Sequence, residues 1–238
     1  METKTKKFKR DILNWYNNNK RDYSWRETND PWKILLLETI SQQTQLDRAD
    51  TYFKLFIEEF PSPATMASSS LKKVLILWSG LGYNNRARRL YESSKILSEK
   101  GFDELYPNFE VLPGVGPYTN NAILSFAYGE KVITRDVNVD RVFSRYFGLN
   151  NVENFVHNNK QPLLNRVSSR DLNQAIMDFG SMVCKSKNPL CSTCVLEKNC
   201  EKNIVKIKKS KETFSGSNRE LRGALLKLLL NENIASLE

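Results

Sequence analysis

Histidine is almost missing from this 238-residue chain. The single one, His157, sits in the polar run NNVENFVHNNKQ and reads as a solvated loop residue. That removes the commonest general base from consideration. No run of 18 or more apolar residues occurs, so no membrane-crossing helix is expected. The basic stretch METKTKKFKRDILNWY is not followed by the apolar core of a secretion signal, and the expectation is a protein that is not secreted and has no membrane partner. Glycine and proline are few, 10 and 8, which excludes fibrous and low-complexity classes. Clear period-2 strands and internal repeats are also lacking. Cysteine is absent outside one short segment.

What is present is positive charge and helical periodicity. The net charge is +9 and the isoelectric point is near 9.3, a balance that favours a polyanionic partner, usually nucleic acid, over a neutral one. In LDRADTYFKLFIEEF, Leu46, Ala49, Phe53, Phe56, Ile57 and Phe60 line one helical face. Similar stripes run through Leu71–Trp78, Ala122–Phe126, Val139–Tyr146 and Leu172–Phe179. The pattern predicts an all-α protein of about ten helices with short connections. FPSPATMASSS reads as a loop ending in capping serines. After a basic stretch KNIVKIKKSKE, the tail carries a short amphipathic helix with Leu221, Leu225 and Leu228 on one face.

All four cysteines, Cys184, Cys191, Cys194 and Cys200, fall within 17 residues with spacing C-x6-C-x2-C-x5-C. Zinc sites favour two C-x(2–4)-C pairs, and only one such pair exists here. Disulfides belong to secreted chains without a sufficient core. A four-thiolate [4Fe–4S] site tolerates the one-sided spacing and is the favoured reading, with zinc and disulfides as the alternatives.

LPGVGPYT, from Leu112 to Thr119, is the second unusual stretch. Gly114 and Gly116 permit a tight turn, Pro117 suits a first helical position, and the free amides beyond it favour an anion. An ordinary helix–helix turn is the alternative.

These stretches together resemble a known family. LPGVGPYT, then Asp136 in RDVNVDRVFSRYFG 18 residues after Tyr118, then the four cysteines, are similar to the helix-hairpin-helix DNA glycosylases with an iron–sulfur cluster (HhH-GPD, endonuclease III-like). WRETNDPWKILLLETISQQTQ, LWSGLGYNNRARRL and LNQAIMDFGSMVC resemble the MutY-like adenine glycosylases within that superfamily. The resemblance covers about residues 22 to 200. It implies a six-helix barrel with the hairpin over 23–135, a cluster lobe from 1–22 and 136–200, an active site in the cleft between them, and a basic linker and short helix over 201–238. A cytoplasmic, nucleoid-associated prokaryotic protein is implied with it.

Residue by residue, the resemblance makes Asp136 the carboxylate that stabilises the cationic sugar, though by itself it reads as a helix N-cap. Asn138 supports it; the glycine usual between them is Val137 here. Glu38, in ILLLETI, matches the general acid, and desolvation among leucines would raise its pKa; a solvent-facing glutamate on an amphipathic helix is the alternative. Tyr118 stands where bifunctional relatives carry a Schiff-base lysine, implying a monofunctional enzyme. Gln42, Gln43 and Thr44 match the element inserted beside a flipped base, otherwise a polar helix end. Tyr83 matches an aromatic wedge, its usual second tyrosine being Asn84. Arg86, Arg88 and Arg89 are offered as phosphate contacts, and Arg26 as a residue near the base pocket. Leu112, Gly114, Val115 and Gly116 form the DNA-anchoring hairpin, with a monovalent or divalent cation beside it. Cys184, Cys191, Cys194 and Cys200 are the cluster ligands.

The implied function is hydrolytic release of adenine opposite guanine or 8-oxoguanine by a monomer acting on double-stranded DNA. Only 38 residues follow Cys200, too few for the Nudix-like domain with which MutY enzymes read 8-oxoguanine, so a thymine or uracil glycosylase acting on T·G or U·G is an alternative. A non-catalytic iron–sulfur DNA-binding module is a third reading. Strand-nicking chemistry by Lys131 or the N-terminal amine is a fourth.

Overall fold

The computed structural model describes residues 2–203 and 218–231, and these are helical with no strand. The basic run expected after Cys200 lies largely outside the described residues. Two compact units emerge. One takes Met1–Asn29 with Asn121–Lys208, the other Asp30–Asn120 with Lys209–Glu238. The divisions fall at 29/30 and 120/121, where the sequence suggested 22/23 and 135/136.

The first unit contains α1 (Glu2–Asn19). The second contains α2 (Pro31–Ser41), α3 (Leu46–Glu59), α4 (Pro63–Ala67), α5 (Leu71–Leu77) and α6 (Asn85–Leu105), which turns at Gly101, φ 74°. α7 (Pro117–Phe126) contains the second division. α8 (Val137–Phe147), α9 (Val152–Leu164) and α10 (Ser169–Met182) return to the first unit, and α11 (Asn218–Asn231) belongs to the second.

In the second unit, α2 is apolar on every side, the mark of a buried helix. Trp32 and every residue from Ile34 to Ile40 are buried. Asp30 caps it, accepting from the Trp32 amide at 2.9 Å, with Pro31 in the first turn, where its missing N–H costs nothing. α2 packs on α3 and α6, and α6 on α4 and α5. The loop expected over FPSPATMASSS contains α4. Ser62 and Thr65 form a reciprocal capping box around Pro63, enough to nucleate one turn. Ser70 then caps α5 by accepting from Lys73 N.

In the first unit, α10 packs on α1 and α8, and α1 on α9. Their apolar stripes meet in an aromatic core: Phe8 lies 5.5 Å from Phe143 and 5.0 Å from Tyr146, and Phe147 lies 4.4 Å from Phe155, ring centroid to centroid. α8 begins at its N-cap Asp136 and ends at Gly148, φ 74°, a left-handed C-cap that favours glycine. Leu221, Leu225 and Leu228 on α11 are exposed, so the amphipathic face read from the sequence is not covered.

Candidate nucleic-acid interface and carboxylate site

Asp136 is held by its own helix. Oδ1 accepts from the amides of Asn138 at 2.9 Å and Val139 at 2.8 Å, and Oδ2 accepts from Asn138 Nδ2 at 2.8 Å. Three donors at a helix N-terminus hold the carboxylate in a fixed orientation. The N-cap role and the support by Asn138 thus coexist. Asn138 is fixed in turn: its Oδ1 accepts from Arg141 Nη2 at 2.6 Å. The same nitrogen donates to Gly180 O at 2.6 Å, and Arg141 Nε donates to Cys184 O at 2.7 Å. Burial lowers the Arg141 pKa. Gly180 permits the approach of α10, because a Cβ there would lie 2.7 Å from Asn138 Cβ. Sequence reasoning missed Arg141 and Gly180. The available signal was the i, i+3 spacing of Asn138 and Arg141 on one helix face. Val137, at the first helical position, is 76% exposed.

The four cysteines line a single cavity of about 290 Å³ together with Arg145, Val183 and Leu190. None is in a disulfide. Arg145 Nη1 donates to Cys184 Sγ at 3.4 Å, and Cys200 Sγ donates to Arg145 O at 3.3 Å. Burial pushes the Cys194 thiol up to about 11 and raises that of Cys200. Among the described residues, no group of three or more His, Cys, Asp or Glu is arranged to hold a metal ion. A single zinc needs its thiolates about 2.3 Å away, whereas a cube-shaped cluster spreads four ligands around a larger volume. Four thiols around one cavity fit the latter better.

Arg26 is engaged in a buried ion pair. It is buried in the first unit, with Nη2 2.6 Å from Asp178 Oδ2 and Nη1 3.1 Å from Gln174 Oε1. Arg21 also pairs with Asp178. A guanidinium engaged this way is structural, because leaving Asp178, 1% exposed, without its partner would be costly.

In the second unit, Glu38 is 8% exposed within the leucine run of α2, so the solvent-facing alternative is excluded. Beyond α2, Gln43 takes φ 56°, and in the neighbouring loop Tyr83 takes φ 48°. Left-handed backbone costs a non-glycine residue roughly 1–2 kcal/mol, so both turns must be held from outside. Gln43 and Tyr83 are exposed, and Gln42 and Thr44 half-buried. Arg88 and Arg89 are exposed, Arg88 pairing with Glu92 at 3.3 Å. Arg86 does not fit a phosphate contact: its terminal nitrogens donate to the carbonyls of Thr39, Ile40, Gln42, Leu81 and Gly82.

The hairpin turns at Gly114, φ 88°, where a Cβ would also meet Arg89 Cβ at 3.2 Å. Val115 N donates to Leu112 O at 3.1 Å and Ser93 Oγ to Pro113 O at 2.9 Å. Leu112 and Val115 are buried, 1% and 8% exposed. Their side chains anchor the turn, and only their backbone remains to meet a ligand. Tyr118 is half-buried in the first turn of α7.

An all-helical fold, a hairpin before a helix, and a carboxylate capping a helix beside a cysteine loop define a repair-protein architecture. Residues 37–161 match the family described as HhH-GPD superfamily base excision DNA repair protein, and the chain belongs to that superfamily. Among curated proteins it is similar to adenine DNA glycosylases. It is 35% identical over 203 residues to that of Buchnera aphidicola subsp. Baizongia pistaciae, covering 82% of this chain and 58% of the relative. It is 32% identical over 234 residues to that of Mycobacterium tuberculosis, covering 92% and 77%. The chain thus spans less than two thirds of the Buchnera relative's length. A solved thermostable thymine-DNA glycosylase superposes with a TM-score of 0.76 at 28% identity, over 83% of this chain and 95% of that one.

Proposed function

We propose that the chain is a monofunctional DNA glycosylase of base excision repair that releases adenine opposite guanine or 8-oxoguanine from double-stranded DNA. The observation that carries the reading is Asp136, fixed by three hydrogen bonds at the position matching the superfamily's essential carboxylate. The similarity to adenine DNA glycosylases supports adenine over thymine or uracil as the base.

Breaking the bond between the sugar C1′ and the adenine nitrogen builds positive charge on the sugar and negative charge on the base. The Asp136 carboxylate, held by Asn138 and the α8 amides, stabilises the first by proximity without reorganising. Glu38, in its leucine surroundings, delivers a proton to a ring nitrogen, so the base departs neutral. Water adds to C1′ and passes a proton to the carboxylate that Glu38 became, which restores the acid and leaves an abasic site. Tyr118 has no amine with which to form an imine, so the strand stays intact.

Gln42, Gln43, Thr44 and Tyr83 fill and flank the gap left by the extruded nucleotide. Arg88 and the backbone of Leu112, Gly114, Val115 and Gly116 hold phosphates, with a monovalent or divalent cation at the hairpin as part of the same reading. Cys184, Cys191, Cys194 and Cys200 would hold a [4Fe–4S] cluster. When bound it supplies a four-point crosslink of the loop and requires the thiols as thiolates. The protein acts as a monomer.

Duplexes carrying A·G, A·8-oxoG, T·G or U·G, incubated with the protein and developed with or without alkali, test the reading. Alkali-dependent cleavage at the A·G and A·8-oxoG adenines is expected. Breaks without alkali would remove the monofunctional claim. Cleavage confined to T·G or U·G would remove adenine, and no base release would favour a binding module.

A further inference from the structure

We propose that Arg86 is a positioning residue that ties together the loops presenting Gln43 and Tyr83, so that both are preset as one unit; this rests on the reading of those residues as the part that enters the duplex. The loop from Ser79 to Gly82 has every carbonyl occupied by a side chain. Ser79 O accepts from Tyr52 OH at 2.6 Å, Gly80 O from Arg48 Nη2 at 2.8 Å, Leu81 O from Arg86 Nη2 at 3.2 Å, and Gly82 O from Trp78 Nε1 at 2.9 Å and Arg86 Nη2 at 3.2 Å.

The other arm of the same guanidinium reaches the C-terminal end of α2. Nη1 lies 2.9 Å from Thr39 O, 3.1 Å from Ile40 O and 2.6 Å from Gln42 O. A cation suits that position, because the last carbonyls of a helix lack partners and carry the negative end of its dipole. Of the side chains that hold the Ser79–Gly82 loop, Arg86 alone also donates to the backbone before Gln43.

The planar fork suits this task, with two arms at fixed separation serving two backbones. Lysine puts its three donors on one point and lacks two arms at that separation. Each backbone leads directly into a left-handed residue, Gln43 at φ 56° and Tyr83 at φ 48°. The guanidinium also lies 5.7 Å from the Tyr83 ring centroid and 5.0 Å from that of Trp78, so it sets both the backbone and the ring that Tyr83 offers. Among the described residues Arg86 Nε has no hydrogen-bond partner, and the side chain lines a cavity of about 20 Å³ shared with Thr39, Ser93 and Gly114, room for about one water.

A phosphate contact and a positioning residue predict different results. Hydrogen exchange on the DNA-free protein comes first, since it does not depend on activity. In Arg86→Lys, peptides covering 39–45 and 79–86 should both exchange about tenfold faster. In Tyr52→Phe, which removes one hold on the second loop and leaves Arg86 in place, 79–86 should respond more than 39–45; Arg86→Gln keeps the question decidable if Arg86→Lys fails to fold. Either loop staying unchanged in Arg86→Lys, or in Arg86→Gln should the lysine variant fail to fold, overturns the proposal.

Duplex binding comes second. Arg86→Lys should weaken binding to an A·8-oxoG duplex about tenfold while matched-duplex affinity and its salt dependence remain those of the wild type. Arg86→Gln should behave in the same way. If Arg86 instead held a phosphate, Arg86→Gln would weaken both duplexes alike and flatten the salt slope by about 0.9; that result overturns the proposal. A wild type that binds A·8-oxoG no more tightly than matched DNA would count against the functional reading alone, with the exchange result still deciding the role of Arg86.

Discussion

Asp136 and Tyr83 are both fixed before any ligand arrives, but by different means. Asp136 is held at its carboxylate itself: two α8 amides and the Asn138 side chain donate to it, Arg141 holds Asn138, and the absence of a side chain at Gly180 lets α10 lie against α8. Tyr83 and Gln43 are held through the main chain, by donors that reach the carbonyls before them. The first arrangement suits a group that must face developing charge in one orientation, where an error of 1 Å is costly. The second fixes the backbone from which each side chain starts and sets a cation beside the Tyr83 ring, while the exposed Gln43 amide keeps the freedom to adapt to the base it meets. Substitutions should therefore separate chemistry from recognition.

Asp136→Asn should have the largest effect. The amide retains a carbonyl to cap α8 but loses the charge that stabilises the sugar cation. Base release in single turnover should fall at least about 1,000-fold, or about 4 kcal/mol, with duplex affinity maintained. Comparable release would remove Asp136 from the mechanism and with it one side of the contrast. Gly180→Ala should come next. Its Cβ would lie 2.7 Å from Asn138 Cβ and 3.2 Å from Asn138 O, so the first turn of α8 must shift. Overpacking of this kind costs about 1–3 kcal/mol of stability. We expect the release rate to fall 10- to 100-fold with affinity little changed. A loss of affinity at an unchanged rate would show that Gly180 does not act through Asp136.

Much of this was legible because the informative residues lie close together in the chain. The apolar stripes marked α3, α5, α7, α8 and α10, and the order of hairpin, aspartate and cysteines marked the superfamily. Asp136 and Asn138 could be read as a pair because an N-cap and the residue two further on are neighbours by construction. Three things were not legible, the first two of them long-range. Arg26, in the same stretch as Glu38, pairs with Asp178, 152 positions away, and no local signal separates a buried ion pair from a surface arginine. Arg86 looks like Arg88 in RARR, yet its donors end on carbonyls 44 to 47 positions earlier. Leu112 and Val115 carry the hairpin motif, but their side chains point to packing. The fold was missed at α4 because Ser62 and Thr65 make a helix out of a stretch whose composition suggests a loop.

The two hairpin glycines give the finest test of where holding ends and recognition begins. Gly114 has a reason within the protein: φ is 88°, and a Cβ would crowd Arg89. Gly116 has neither reason. Its φ lies outside the left-handed range and, among the described residues, a Cβ would meet nothing within 4 Å. If both glycines served folding, the two alanine variants would behave alike. If the open space beside Gly116 is where a phosphate backbone approaches, they should part. Gly114→Ala should cost about 1–2 kcal/mol of stability in chemical unfolding, from left-handed strain. Gly116→Ala should unfold with the wild type yet bind duplex DNA several-fold more weakly, because a methyl group would stand between the hairpin amides and an anion. Wild-type affinity in Gly116→Ala would place the phosphate elsewhere and leave the hairpin as a helix–helix turn.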